Sequence, residues 1–317
     1  MNAIDKYLLE HIDVNRRIVF GASPLNKKHG YDEDIVSFVL NNIKPAIEAS
    51  KDFRDFAKGK TKAAMITLST DEIGKTPWIS SMVIHINWFF DKIQNIGGGY
   101  RPRHTKMEED GLSFSLDIKV SGYNAYAMLN QVIATLSHEL LHAYEDYQRR
   151  SHGKANLCDV FFQSPYPVFS KMMVDASVPQ GQKALFTILY FLNPTERNAN
   201  LATLYAELKT NCLCLSRDNI LSAIKNTTYY KEYNIYKSAI EFLYQVRHNK
   251  MGGESFLAAY NSAITMMETI GVSLPKMKSF NQLIKFIWAQ WRKYDRKWKQ
   301  NINKVVYDIL DDFCVIR

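Results

Sequence analysis

His138-Glu139-Leu140-Leu141-His142 is the stretch on which the reading of this chain turns, together with the segment that leads into it. Two imidazoles four residues apart on an α-helix sit about 40° around and roughly 6 Å along the axis from one another. At that offset both rings reach a single Zn²⁺ at about 2.0–2.1 Å and leave a coordination position open. Glu139 follows the first His, so its carboxylate can face that position and take a proton from a metal-activated water. Upstream, Leu112, Phe114, Leu116, Ile118 and Val120 alternate with Ser113, Ser115, Asp117 and Lys119, the pattern of a half-buried, edge-type strand. Ser121-Gly122 predicts a tight turn, and a helical period runs from about Asn124 to Arg150. Ala125, Leu129, Val132, Leu136, Leu140 and Ala143 form its buried stripe, with His138 and His142 on the neighbouring stripe, able to face a cleft. Ser151-His152-Gly153 supplies the helix stop.

A catalytic zinc takes a third protein ligand. Glu145 and Gln148 stand where the metzincin pattern carries Gly and His, which sets that class aside. Glu145 is also about 10 Å along the helix from His138, and three donors strung along one axis do not converge. A better candidate lies downstream, in Asn193-Pro194-Thr195-Glu196-Arg197-Asn198-Ala199-Asn200. With His138, Glu139 and His142 on the first helix and Glu196 and Ala199 on the second, the stretch from Leu112 to Leu208 resembles the gluzincin group of zincin metallopeptidases. Glu196 to Ala202 also resembles the Glu-x-x-Ala-Asn helix of zincin-like proteins encoded by phages and bacteria.

The resemblance implies Zn²⁺ as cofactor, His138, His142 and Glu196 as metal ligands, and Glu139 as the catalytic general base. It implies a zincin-like core, a small sheet over the active-site helix. Glu196 has a second reading in the residues themselves. Asn193 as N-cap, Pro194 at the first helical position and Glu196 at the third would complete a capping box with no metal involved. Glu207, three turns further along the same face, is the fallback ligand. Tyr144, Tyr190 and Tyr205 are candidates for an oxyanion donor. His11, His29, His85, His104, His152 and His248 lack paired spacing and read as surface or core residues.

At 317 residues, 46% hydrophobic and 23% charged, the composition is that of a globular protein with a sizeable core. No apolar run approaches the roughly 20 residues of a membrane span. Met1 to Lys6 lacks the basic-then-apolar pattern of a secretory leader, so the expected location is cytoplasmic, or virion-associated for a phage-encoded chain. Cys158 and Cys314 are isolated, and Cys212 and Cys214 point about 200° apart on a helix, so buried thiols are the expectation.

Along the chain, Ile35, Phe38, Val39, Ile43 and Ile47 predict a helix divided or kinked at Pro45. Ala63 to Leu68 and Ser80 to Phe89 read as strands around a turn region at Asp71 to Pro77, and Gly97-Gly98-Gly99-Tyr100 as a flexible connection. Cys158 to Lys183 reads as a long irregular insertion bordering the cleft. From Lys209 the pattern is helical, and its last helix repeats Ile284, Ile287, Trp291, Tyr294, Trp298, Ile302, Val305, Ile309 and Phe313 among many Lys and Arg.

The expected fold is therefore α+β: an N-terminal helical segment over 1–60, a zincin-like metallopeptidase core over 61–210 and a helical C-terminal region over 211–317. The expected activity is zinc-dependent hydrolysis of a peptide or protein substrate. Two alternatives stand beside it. One is a non-catalytic zincin-fold structural or interaction protein, such as a virion or assembly component. The other is nucleic-acid binding through Lys293, Arg296 and Lys297 on the basic last helix, which the net charge of +8 permits.

Overall fold

The computed structural model describes residues 30–74, 76–103, 111–153, 171–173, 175–191, 194–211, 217–248, 253–268 and 275–314. It is an α+β structure with one four-stranded mixed sheet. The chain divides into two compact units, one of Met1–Cys158, Asn198–Tyr229 and Asn303–Arg317, the other of Asp159–Arg197 and Tyr230–Ile302. Among the described residues no helix is long and apolar enough to cross a membrane.

The first unit opens with helix α1 (Gly30–Phe38), a π-helical turn (Val39–Ile43) and α2 (Lys44–Ala49), which follow one another without a break. Pro45 has no N–H to donate, and the widened π turn directly before it absorbs the change of hydrogen-bond register. Ile35, Val39, Ile43 and Ile47 remain on one buried face. The Ser50 hydroxyl caps α3 (Lys51–Ala57) by accepting from Phe53 N at 3.1 Å. Within the expected turn region, Ser69 and Glu72 form a capping box on the short helix α4 (Thr70–Ile73).

The strands are β1 (Ala63–Ser69), β2 (Ile79–Phe90), β3 (Asn95–Pro102) and β4 (Leu112–Gly122), in spatial order β1-β2-β4-β3. β2 and β4 are parallel; β1 and β3 flank them antiparallel. One face is apolar throughout: Ile66, Leu68, Ile84, Ile86, Trp88, Leu116, Ile118 and Val120 are all buried. The other carries Thr67, His85, Asp117 and Lys119, with Arg101 and Asp117 3.3 Å apart across β3 and β4. Helix α5 (Ala125–Ser151) packs against β3 and β4. Asn124 caps it, its side chain accepting from Tyr126 N and Ala127 N at 3.0 Å each. All six residues of the expected stripe, from Ala125 to Ala143, are buried.

Three expectations are corrected here. The Leu112 strand is internal, not an edge, because alternation reports which face is buried and not how many neighbours the strand has. Ser121 and Gly122 continue β4 to pair with Asn95 and its neighbours in β3 and with the end of β2. The glycine triplet is no loose connection but the middle of edge strand β3, with Gly98 opposite Ile118 and Tyr100 opposite Leu116. A backbone ladder asks nothing of the side chain, and this edge needs small residues for a reason given below.

α8 (Arg217–Asn226) belongs to the first unit, and the second contains α6 (Gln180–Phe191) and α10 (Gly253–Glu268), and most of α9 (Thr228–His248) and α11 (Phe280–Cys314). The start of the expected insertion at Cys158 lies outside the described residues, whereas Gln180 to Lys183 are helical. The core of this unit is aromatic: Tyr233 stacks on Trp298 at 4.0 Å, and Tyr236 meets Trp291 at 5.0 Å and Tyr294 at 4.8 Å. Asn261 holds the chain entering α11 in two bonds, donating to Met277 O and accepting from Met277 N. Cys158, Cys212, Cys214 and the side chain of Cys314 lie outside the described residues.

Candidate metal centre

α5 is long and capped, and its register along the sheet fixes where each polar residue of the motif points. Thr135, Glu139 and Asp146 lie on the row over β3, and His138 and His142 lie one row round. The two His rings are 4.7 Å apart and nearly perpendicular, and their Nε2 atoms approach to 3.1 Å. Two nitrogens bound to one tetrahedral zinc at 2.0–2.1 Å are ~3.3 Å apart, so this separation matches a shared cation.

His138 Nδ1 lies 3.2 Å from Thr203 Oγ1 on α7 (Pro194–Asn211). The Thr203 hydroxyl has Ala199 O at 3.4 Å to receive its own proton, so its lone pair can accept Nδ1–H. That tautomer leaves Nε2 of His138 unprotonated, the form a metal ligand needs. His142 turns Nδ1 toward the Glu145 carboxylate at 3.9 Å, and both side chains are largely buried. Glu145 therefore stands behind the second His.

Glu139 is buried to 9% exposure beside the sheet edge. A Cβ on Gly98 would come 2.7 Å from Glu139 Oε1, 3.0 Å from its Cγ and 2.5 Å from Thr135 Cγ2. The glycine at 98 is what allows this carboxylate to lie against the strand. Two residues on, Tyr100 donates to Asp146 Oδ2 at 2.5 Å, and Arg150 reaches the same oxygen at 2.9 Å. Asp146 is fully buried and Arg150 nearly so, so a charged clamp ties β3 to α5 next to the motif.

Of the sequence-predicted residues, His138 and His142 are brought together beside Thr203, and Glu139 lies on the adjoining row against Gly98. Glu196 occupies the third position of α7, as the capping-box reading also required, but its side chain and Asn193 lie outside the described residues. Among the described residues no three His, Cys, Asp or Glu form a metal-binding group. The fallback Glu207 is engaged elsewhere: its carboxylate accepts from Thr228 N at 2.7 Å and from Thr228 Oγ1 at 2.5 Å, at the start of α9.

Tyr144 packs edge-on to Trp78 at 5.3 Å, on the α5 face away from the His pair, and Tyr205 is buried under Lys209. Tyr190 lies on α6 of the second unit. Elsewhere His85 bonds Thr67 across two strands at 3.2 Å, and His152 closes α5 against Gln148 O. The side chain of His248, with His11, His29 and His104, lies outside the described residues. Sequence reasoning missed Thr203, Gly98 and the Tyr100–Asp146–Arg150 clamp. None of them carried a distinguishing signal, Gly98 being the middle of a glycine triplet that reads as a turn or connection.

Compared with protein-family models, curated proteins and solved structures, the chain matches none.

Proposed function

We propose that the protein is a zinc-dependent peptidase built on a zincin-like core, in which His138 and His142 bind the metal through Nε2 and Glu139 is the general base. The observation that carries this reading is the paired Nε2 atoms 3.1 Å apart, with His138 oriented by Thr203 and a buried carboxylate on the adjoining row. A structural His pair on a helix surface would not need that orientation. Glu196 is the third ligand in this reading, on the strength of the resemblance.

Zinc in such a site supplies Lewis acidity, making water nucleophilic near neutral pH and polarising a carbonyl. The remaining work belongs to the chain. Glu139 accepts the proton of the attacking water and returns it to the leaving amine. Thr203 holds the His138 ring, and Gly98 keeps the base against the sheet edge. β3 is an edge strand, and its backbone can align an extended peptide as an added strand beside Glu139.

The test is hydrolysis of a mixed fluorogenic peptide library by purified protein, with and without a chelator. Turnover that is lost with chelator, restored by zinc and abolished in Glu139→Gln is the expected outcome. Bound zinc with no turnover in wild type would instead favour the second reading, a zincin-fold structural or interaction protein.

A further inference from the structure

Away from the His pair, the seam between α9 and α11 in the second unit has a feature the peptidase reading leaves unused. The two helices run antiparallel, shown by the order of their aromatic contacts: Tyr233 with Trp298, Tyr236 with Trp291, and then Tyr244 with Trp288. The first two rungs are buried. The third is not: Trp288 is 39% and Tyr244 41% exposed, with the rings 5.7 Å apart and tilted by 39°. Arg247 places its guanidinium 5.9 Å from the Tyr244 ring centre.

Cations line one side of this open rung. Lys285, Arg292 and Arg296 are three residues before, four after and eight after Trp288, within an arc of about 80° on one side of α11. All three are exposed. Two acids of the same helices are already engaged, Asp295 by Tyr233 at 2.7 Å and Lys299 at 2.9 Å, and Glu241 by Lys237 at 3.6 Å. Between residues 230 and 302 twelve Lys and Arg stand against five Asp and Glu, so this stretch carries most of the chain's net charge of +8.

We infer that the Tyr244–Trp288 rung and its cations form a binding platform for single-stranded nucleic acid. A row of cations alone would fit any polyanion, and exposed rings alone would fit any apolar partner. Placed side by side, they match a chain that offers phosphates and unpaired base faces together. A duplex keeps its base faces stacked inside, so it would use the cations and leave the rings idle.

The experiment is a fluorescence-anisotropy titration of the full chain with a labelled oligothymidylate of about 20 nucleotides, at about 50 mM and about 200 mM salt. Saturable binding that weakens with salt is expected. Trp288→Ala should weaken it on the order of tenfold, and Trp288→Phe should restore most of that loss. Neutralising Arg292 and Arg296 together should lower the salt slope by about two. His142→Ala should bind as the wild type, which separates this site from the metal centre. Circular dichroism of Trp288→Ala checks that the helices persist, and Arg292→Gln with Arg296→Gln tests the same surface without touching an aromatic residue. No saturable binding at the lower salt would overturn the proposal. So would a Trp288→Ala variant that binds as tightly as wild type, an equally tight duplex, or polyglutamate that displaces the oligonucleotide as well as unlabelled oligothymidylate does.

Discussion

Gly98 sits where the edge strand passes under Thr135 and Glu139, and a single methyl group there would overlap the Glu139 carboxylate. Gly98→Ala should therefore displace the proposed base and lower turnover by at least about tenfold, a loss typical of a misplaced catalytic group, while zinc stays bound. Unchanged turnover would show that the position of Glu139 against β3 is immaterial. Thr203 acts through His138. Thr203→Val should weaken zinc affinity by about 10- to 100-fold, with Thr203→Ser recovering most of it, read in a competition titration against a chromogenic chelator. The buried clamp concerns stability. Asp146→Ala leaves Arg150 buried beside the Tyr100 hydroxyl, and an uncompensated charge of this kind costs about 3–5 kcal/mol in denaturant unfolding. Sequence reasoning singled out His138, Glu139 and His142 as candidates because a zinc site of the proposed kind has a fixed spacing. Thr203, 61 residues beyond His142, has no such spacing, and nothing local tells a threonine that orients an imidazole from one that only packs.

Elements whose period matched their burial were legible. β1, β2, β4 and α5 fall within a few residues of their predicted bounds, and the structure shows Asn124 to be the N-cap of α5. Asn124→Ala should cost about 1 kcal/mol, measured by chemical unfolding, because two N–H groups at the start of α5 lose their acceptor. β3 was illegible, since three consecutive glycines carry no alternation and its pairing is decided by β4 and the close approach of α5. Its place next to β4 also decides that β4 is internal. In the helical unit, burial foremost, then the Asp295 hydrogen bond, pushes the Tyr233 phenol far above its ordinary range, and burial does the same to Tyr260. Both phenols ionise near pH 10 in an unfolded chain and well above it when folded. Their contribution to stability is thus whole below about pH 10 and declines as pH rises beyond it. Guanidinium midpoints followed at about pH 9 and about pH 11 should fall, and Tyr233→Phe should reduce the fall. Equal midpoints at both values would mean that neither phenol is held neutral by the fold.

At the scale of the whole chain, two units are each assembled from separated stretches, and no linear pattern expresses that kind of division. The first unit holds the sheet, α5 and the His pair with Thr203; the second holds the aromatic seam and most of the excess positive charge. The proposed peptidase chemistry and the proposed nucleic-acid platform rest on different residues, so each can be tested by substitutions that leave the other's residues untouched. The peptidase reading stands on one physical claim, that the Nε2 atoms of His138 and His142 share a metal ion. The direct measurement is the zinc content of purified, zinc-reconstituted protein by elemental analysis, wild type beside His142→Ala and Glu196→Ala. About one zinc per chain in the wild type, lost in both variants, is the expected result. Loss in His142→Ala alone would keep the centre and dismiss Glu196 as its third ligand. A wild-type protein that holds no zinc, or a His142→Ala variant that holds as much as the wild type, would contradict the claim.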